Sequence, residues 1–96
     1  MNKINEFIKM NKVKNIWIDI LNYENTIKLI KILIKNNILI YWFDWFEVND
    51  NLYQINQNYS RDYSSFSKED SYKLVLEYFL KTEYTDKYYS ISYKNN

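Results

Sequence analysis

Apolar residues recur along the chain with two different periods, and the change of period divides it into elements. Ile4, Phe7 and Ile8 stand at helical spacing and predict a short helix over residues 2–11. Val13, Ile16, Trp17, Ile20 and Leu21 repeat that spacing and predict another turn or two of helix. Ile27, Ile30, Leu33 and Ile34 then form one face of a third helical segment, with Asn25 as a candidate cap. Lys28, Lys31 and Lys35 occupy its opposite face.

The period changes after Asn36-Asn37. Residues 38–48, Ile-Leu-Ile-Tyr-Trp-Phe-Asp-Trp-Phe-Glu-Val, are rich in β-branched and aromatic side chains. Ile38, Tyr41, Trp42 and Trp45 also fit a helical period, but the composition favours a strand. As a strand it places Ile40, Trp42, Asp44 and Phe46 on one side and Tyr41, Phe43, Trp45 and Glu47 on the other. Asn49-Asp50-Asn51 predicts a turn into a second strand over 52–58, giving a hairpin. Residues 59–66 are polar without a period and read as a loop. Ser67, followed by Glu69 and Asp70, suits a helix start, and Tyr72, Val75, Leu76 and Phe79 carry an amphipathic helix to about Lys81. Tyr89, Ile91 and Tyr93 alternate with Ser90 and Ser92 as in a half-exposed strand. The expected fold is one α+β domain over residues 1–96, with helices packed on a short antiparallel sheet in the order α-α-β-β-α-β.

Composition changes this picture at the turns and in the chemistry. The chain has no Gly, Pro, Ala, Cys or His, and Arg61 is its only arginine beside twelve lysines and fourteen asparagines. The bias toward Asn, Lys, Ile and Tyr matches AT-rich codons and reflects mutational pressure in a low-GC genome. Without glycine, positions of positive φ fall to Asn or Asp, so Asn36-Asn37, Asn49-Asp50-Asn51 and Asn95-Asn96 are the expected turns. Without cysteine there is neither disulfide nor thiolate ligand, and the first residues lack the apolar run of a secretion signal. Lysines interrupt the most apolar stretch, residues 27–46, so no membrane span is expected and the bacterial cytoplasm is the expected compartment.

Catalytic options are few. No histidine leaves no ordinary general base at neutral pH, and no glycine leaves no phosphate-cradling loop. A non-enzyme without cofactor or metal is therefore expected. Asp44, Glu47 and Asp50 form the one local acidic group; they lack the ladder of a calcium loop and read as solvated charge around a turn.

Two features remain as candidate binding chemistry. The run Tyr41-Trp42-Phe43-Asp44-Trp45-Phe46 has more aromatic area than a short chain can cover on both sides of a strand. The partner-binding residues expected from it are Tyr41, Phe43 and Trp45 with Asp44 and Glu47, joined by Arg61, Asp62 and Tyr63 of the following loop. Stacking of single-stranded nucleic acid is disfavoured there, because no basic residue lies between Lys35 and Arg61. The alternative site is the face of Lys28, Lys31 and Lys35, which suits phosphate contacts in a small nucleic-acid-binding regulator, or simple solubility.

Charge is segregated. Residues 1–35 hold seven lysines against three acids (+4), residues 36–86 four basic against nine acidic residues (−5), and residues 87–96 two more lysines (+2). The acidic centre suits a basic partner that handles nucleic acid. In size and composition the chain resembles the small inhibitors encoded by phages and mobile elements, anti-CRISPR proteins among them. That resemblance implies a non-catalytic protein that occupies the surface of a host protein or protein complex involved in defence, or a related immunity protein. A homo-oligomer in which the exposed aromatics meet their own copy is a third reading.

Overall fold

A computed structural model describes residues 2–14, 16, 18–49 and 52–94. The chain opens with helix α1 (Asn2–Asn11), whose Ile4 and Ile8 turn inward. The predicted continuation of helix through Val13–Leu21 is absent from the described residues there. The Lys12 N–H bonds back to Ile8 and the Val13 N–H reaches across to the Ile20 carbonyl at 2.9 Å, so the chain leaves the helix and folds into a loop. The run is rich in β-branched residues, which lose side-chain freedom in a helix. It ends in the two-residue strand β1 (Leu21–Asn22). Trp17 lies outside the described residues.

Helix α2 (Tyr23–Lys35) starts one turn before the predicted cap. Asn22 takes that place, its Oδ1 accepting from the Asn25 N–H at 2.9 Å. The buried stripe is Thr26, Leu29, Ile30 and Leu33. Thr26 is accommodated by donating to the carbonyls of Leu21 and Asn22. At the other end Asn37 has φ 60, its N–H bonds to the Ile34 carbonyl, and the Ile38 N–H bonds to the Leu33 carbonyl, both at 3.0 Å. These two crossed bonds are the Schellman termination usually built on glycine, here built on asparagine as the composition predicts.

The predicted strand is β2 (Leu39–Asn49), and its hairpin partner is β3 (Leu52–Ile55), paired from Asn49 with Leu52 to Phe46 with Ile55. The turn residues Asp50 and Asn51 lie outside the described residues, as do Asn95 and Asn96. The expected loop holds a short strand, β4 (Arg61–Asp62), set against Phe43 and Trp42. Helix α3 (Lys68–Lys81) starts at the predicted cap, where Ser67 Oγ accepts from the Asp70 N–H at 3.2 Å. The chain then enters β5 (Tyr88–Lys94), antiparallel to β2 along its length.

The sheet has the order β1-β5-β2-β3, with β4 beside β2. Its centre is therefore the β2–β5 pair, and one irregularity there governs the faces. Ile40 pairs with Tyr93 and Trp42 with Ser92, so Tyr41 is an extra residue in a β-bulge. The bulge puts Ile40 on the same side as Phe43 and Trp45, across from Tyr89 and Ile91. Those residues join Ile4, Leu29, Ile30, Leu33, Val75 and Phe79 of the three helices in one core. The hydroxyl of Ser71 on α3 donates to the Ile40 carbonyl, tying that helix to the strand beside the bulge.

Asn37 occupies the left-handed region, which costs an alanine about 1–2 kcal/mol. Asn37→Ala should lower unfolding free energy by about 1 kcal/mol in urea titrations, whereas Asn37→Gly should equal or exceed the parent.

Candidate docking surfaces

The expected partner-binding residues do not share one environment. Phe43 and Trp45 are 0% and 1% exposed and present nothing to a partner. Phe43 is the hub of the core: its ring lies 4.9 Å from Tyr78, 5.1 Å from Phe79, 5.9 Å from Tyr89 and 6.1 Å from Tyr63. Trp45 is enclosed by Tyr59 at 4.8 Å and Tyr84 at 5.3 Å, with the Lys87 ammonium 5.6 Å from its ring centre. Tyr63 is also core rather than loop surface; burial pushes its hydroxyl up to about 12. The expectation of exposure fails for these three because Tyr78 and Phe79 of α3 cover Phe43, Tyr59 and Tyr84 cover Trp45, and Tyr63 packs against Phe43.

Arg61 and Asp62 are exposed, on a strand and not in a loop. The Arg61 guanidinium lies 5.6 Å from the Tyr78 ring centre and donates to the carbonyls of Asn58 and Ser60. The Asp62 carboxylate accepts from the Ser64 N–H at 2.8 Å, and hydrogen bonding from the Ser64 side chain first, and from that N–H second, holds its pKa below the usual range. Both line a groove of about 570 Å³ together with Phe66, Leu74, Tyr78, Glu77 and Lys81. Its charges balance, so the groove favours neither a cation nor an anion.

Asp44 and Glu47 do not form one acidic patch. Three positions apart on a strand, they point to opposite sides, and Asp50 lies outside the described residues. Glu47 sits opposite Gln54 on the helix side. Asp44 sits opposite Ser90 on the other side and accepts a 2.7 Å hydrogen bond from Trp42 Nε1. Among the described residues no group of three or more potential ligand side chains could hold a metal ion.

The side of the sheet carrying Asp44 has no helix on it among the described residues. It presents Trp42, Asp44, Phe46 and Val48 of β2, Tyr88, Ser90 and Ser92 of β5, Tyr53 and Ile55 of β3, and Asp62 of β4 opposite Trp42. The bulge adds Tyr41, which lines a depression of about 440 Å³ with Leu39, Ser64 and Lys94. Phe46, central between Tyr88 and Ile55, is buried by its neighbours; Tyr41, Trp42, Tyr53 and Tyr88 are half-buried, and Val48 and Ile55 are exposed. Tyr53 and Tyr88 meet edge to face at 5.5 Å. Several of these rings are thus held in place from one side while the other stays open to solvent.

Trp42, Phe46, Tyr53 and Tyr88 are the residues that reading by sequence missed. The signal for them was Asp44: a carboxylate inside an aromatic run marks the solvent side of a strand, since burying it unpaired is costly. Its neighbours two positions away, Trp42 and Phe46, share that side. The serines alternating with Tyr89 and Ile91 mark the same side of β5.

Lys28, Lys31 and Lys35 are exposed on the outer side of α2, as the sequence predicts. No helix of the described residues is long and apolar enough to cross a membrane. The chain matches no family model, and no curated protein or solved structure shows significant similarity to it.

Tyr63 offers a check on this placement. Its neutral form is favoured by folding, so the stability it contributes is complete below the unfolded value near pH 10 and is lost as pH rises to about 12. Burial raises Tyr89 in the same direction. Unfolding free energy measured from pH 9 to 12 should therefore fall, and Tyr63→Phe should flatten the decline.

Proposed function

We propose that this protein is a non-catalytic binding module that docks on a host protein through the helix-free side of its sheet. The observation that carries this reading is the row of half-buried rings on that side, Tyr41, Trp42, Tyr53 and Tyr88, beside the carboxylates of Asp44 and Asp62. Interface anchors are enriched in Trp and Tyr because such rings bring large area with few rotatable bonds. Trp42 is further oriented by its bond to Asp44, which removes part of the ordering cost of binding. The mode of action is that of the small phage or mobile-element inhibitors it resembles in size: occupation of a surface on a defence protein, without chemistry. A cytoplasmic site of action in a bacterial host accompanies this reading. With Asp44 on the docking side and a net −5 over residues 36–86, a basic, nucleic-acid-handling partner is the best electrostatic match.

The experiment is affinity capture from the native host with mass spectrometry, followed by titration of the captured protein. Trp42→Ala should weaken binding by about 2 kcal/mol, roughly thirtyfold, with the thermal transition retained. Phe43→Ala should instead lose about 3–5 kcal/mol of stability. Equal affinity of the parent and a folded Trp42→Ala/Tyr88→Ala chain would refute docking on this side.

One further observation supports a second reading. The exposed lysine row of α2 suits phosphate contacts, and the protein would then be a nucleic-acid-binding regulator. Retention on duplex DNA should in that case fall steeply with salt, and Lys28→Gln/Lys31→Gln/Lys35→Gln should abolish it. Weak retention that the triple variant leaves unchanged would remove this alternative.

A further inference from the structure

The strand beside β2 is divided into unlike halves. If the β3 register continued, Phe43 would face residue 58; it faces Arg61, so three extra residues are taken up between β3 and β4. The β4 half carries a charge of each sign. The β3 half, Leu52-Tyr53-Gln54-Ile55, carries none, and it has no bulge and no proline. Leu52 is 71% exposed and Ile55 43%.

Among the described residues β3 pairs only with β2, which leaves its outer row of N–H and C=O groups without a strand. Sheet edges are ordinarily blunted by lysine, proline, a bulge or a covering element. The opposite end of the sheet shows the contrast: β1 has only two residues and packs against α2. Backbone groups at strand spacing are matched by an occupant that is itself extended.

We infer that β3 pairs antiparallel with β3 of a second copy of this chain, joining two sheets into one across a twofold axis perpendicular to them. An isologous contact requires a strand to meet itself without conflict. That axis keeps helix side with helix side, so Tyr53 stands opposite Tyr53 or Ile55 of the second copy, and Gln54 opposite Leu52 or Gln54. Every one of these pairs is neutral, and no like charges face each other. The Tyr53 ring is already positioned by Tyr88, so little of its freedom remains to be lost on pairing. The inference stands on the edge and is independent of docking on the helix-free side.

The test is the mass of the full chain by light scattering and sedimentation over roughly a hundredfold concentration range. The parent should rise with concentration toward twice 12.0 kDa. Leu52→Lys/Gln54→Lys, changed at two exposed positions, should stay monomeric throughout with an unaltered circular dichroism spectrum. Mixing it with Leu52→Glu/Gln54→Glu should restore a dimer, because opposite charges then meet. Trp42→Ala should dimerise like the parent, which separates this contact from the proposed partner surface. A parent that stays at 12.0 kDa, or a dimer indifferent to the paired lysines, would overturn the proposal.

Discussion

The side chains of β2 are sorted by one extra residue in its backbone. At Tyr41 the strand gains a residue that β5 lacks, and the alternation of sides is reset there. Upstream, Ile40 is core; downstream, Phe43 and Trp45 are core; between them Tyr41 and Trp42 stand together opposite Ser92. Without that reset Ile40 would share a side with Trp42 and Asp44, and the helices would meet a strand whose apolar positions changed sides midway. Ser71 fastens α3 to the strand at this place, so helix position and strand register are set together.

From that point aromatic rings gather around Phe43 and Trp45, beside the aliphatic side chains that α1 and α2 bring to the core. Phe43 touches rings from α3, β5 and the segment following β4, and Tyr hydroxyls find backbone carbonyls at the margin: Tyr23 donates to Phe79, Tyr72 to Ile38 and Tyr89 to Tyr84. A tyrosine-rich interior thereby stays compatible with polar oxygens, each of these three placed within reach of a backbone carbonyl. Trp45 Nε1 and Tyr78 Oη are buried without a hydrogen bond. A chain with no alanine or glycine has few small side chains for fitting elements closely, and bulky rings fill the space between them instead.

The elements were legible where periodicity was long or capping chemistry local. α3 could be read from Ser67 to Lys81, β2 from its aromatic and β-branched run, and the Asn37 turn from the absence of glycine. Val13–Leu21 was misread because its apolar spacing fits a helix while its β-branched content opposes one. β4 was missed because two residues carry no period. The candidate site was half legible. That one side of β2 must stay uncovered followed from the number of elements available, but which side depended on where α2 and α3 settle. Asp44 held that information, and the crowding of rings around it obscured it.

The interruption between β3 and β4 has a consequence for how this molecule can vary. Asn56 and Ser60 both bond to Trp45, through its carbonyl and its N–H, so the two ends of the excursion are fastened to a single residue of the central strand. Residues 57–59 lie between these fixed points, and only Tyr59 among them packs on Trp45. Insertions or deletions at positions 57 and 58 would lengthen or shorten a protruding tip without sliding either half-strand. The hairpin is thus built to accept new sequence at one site while the register of the sheet is conserved.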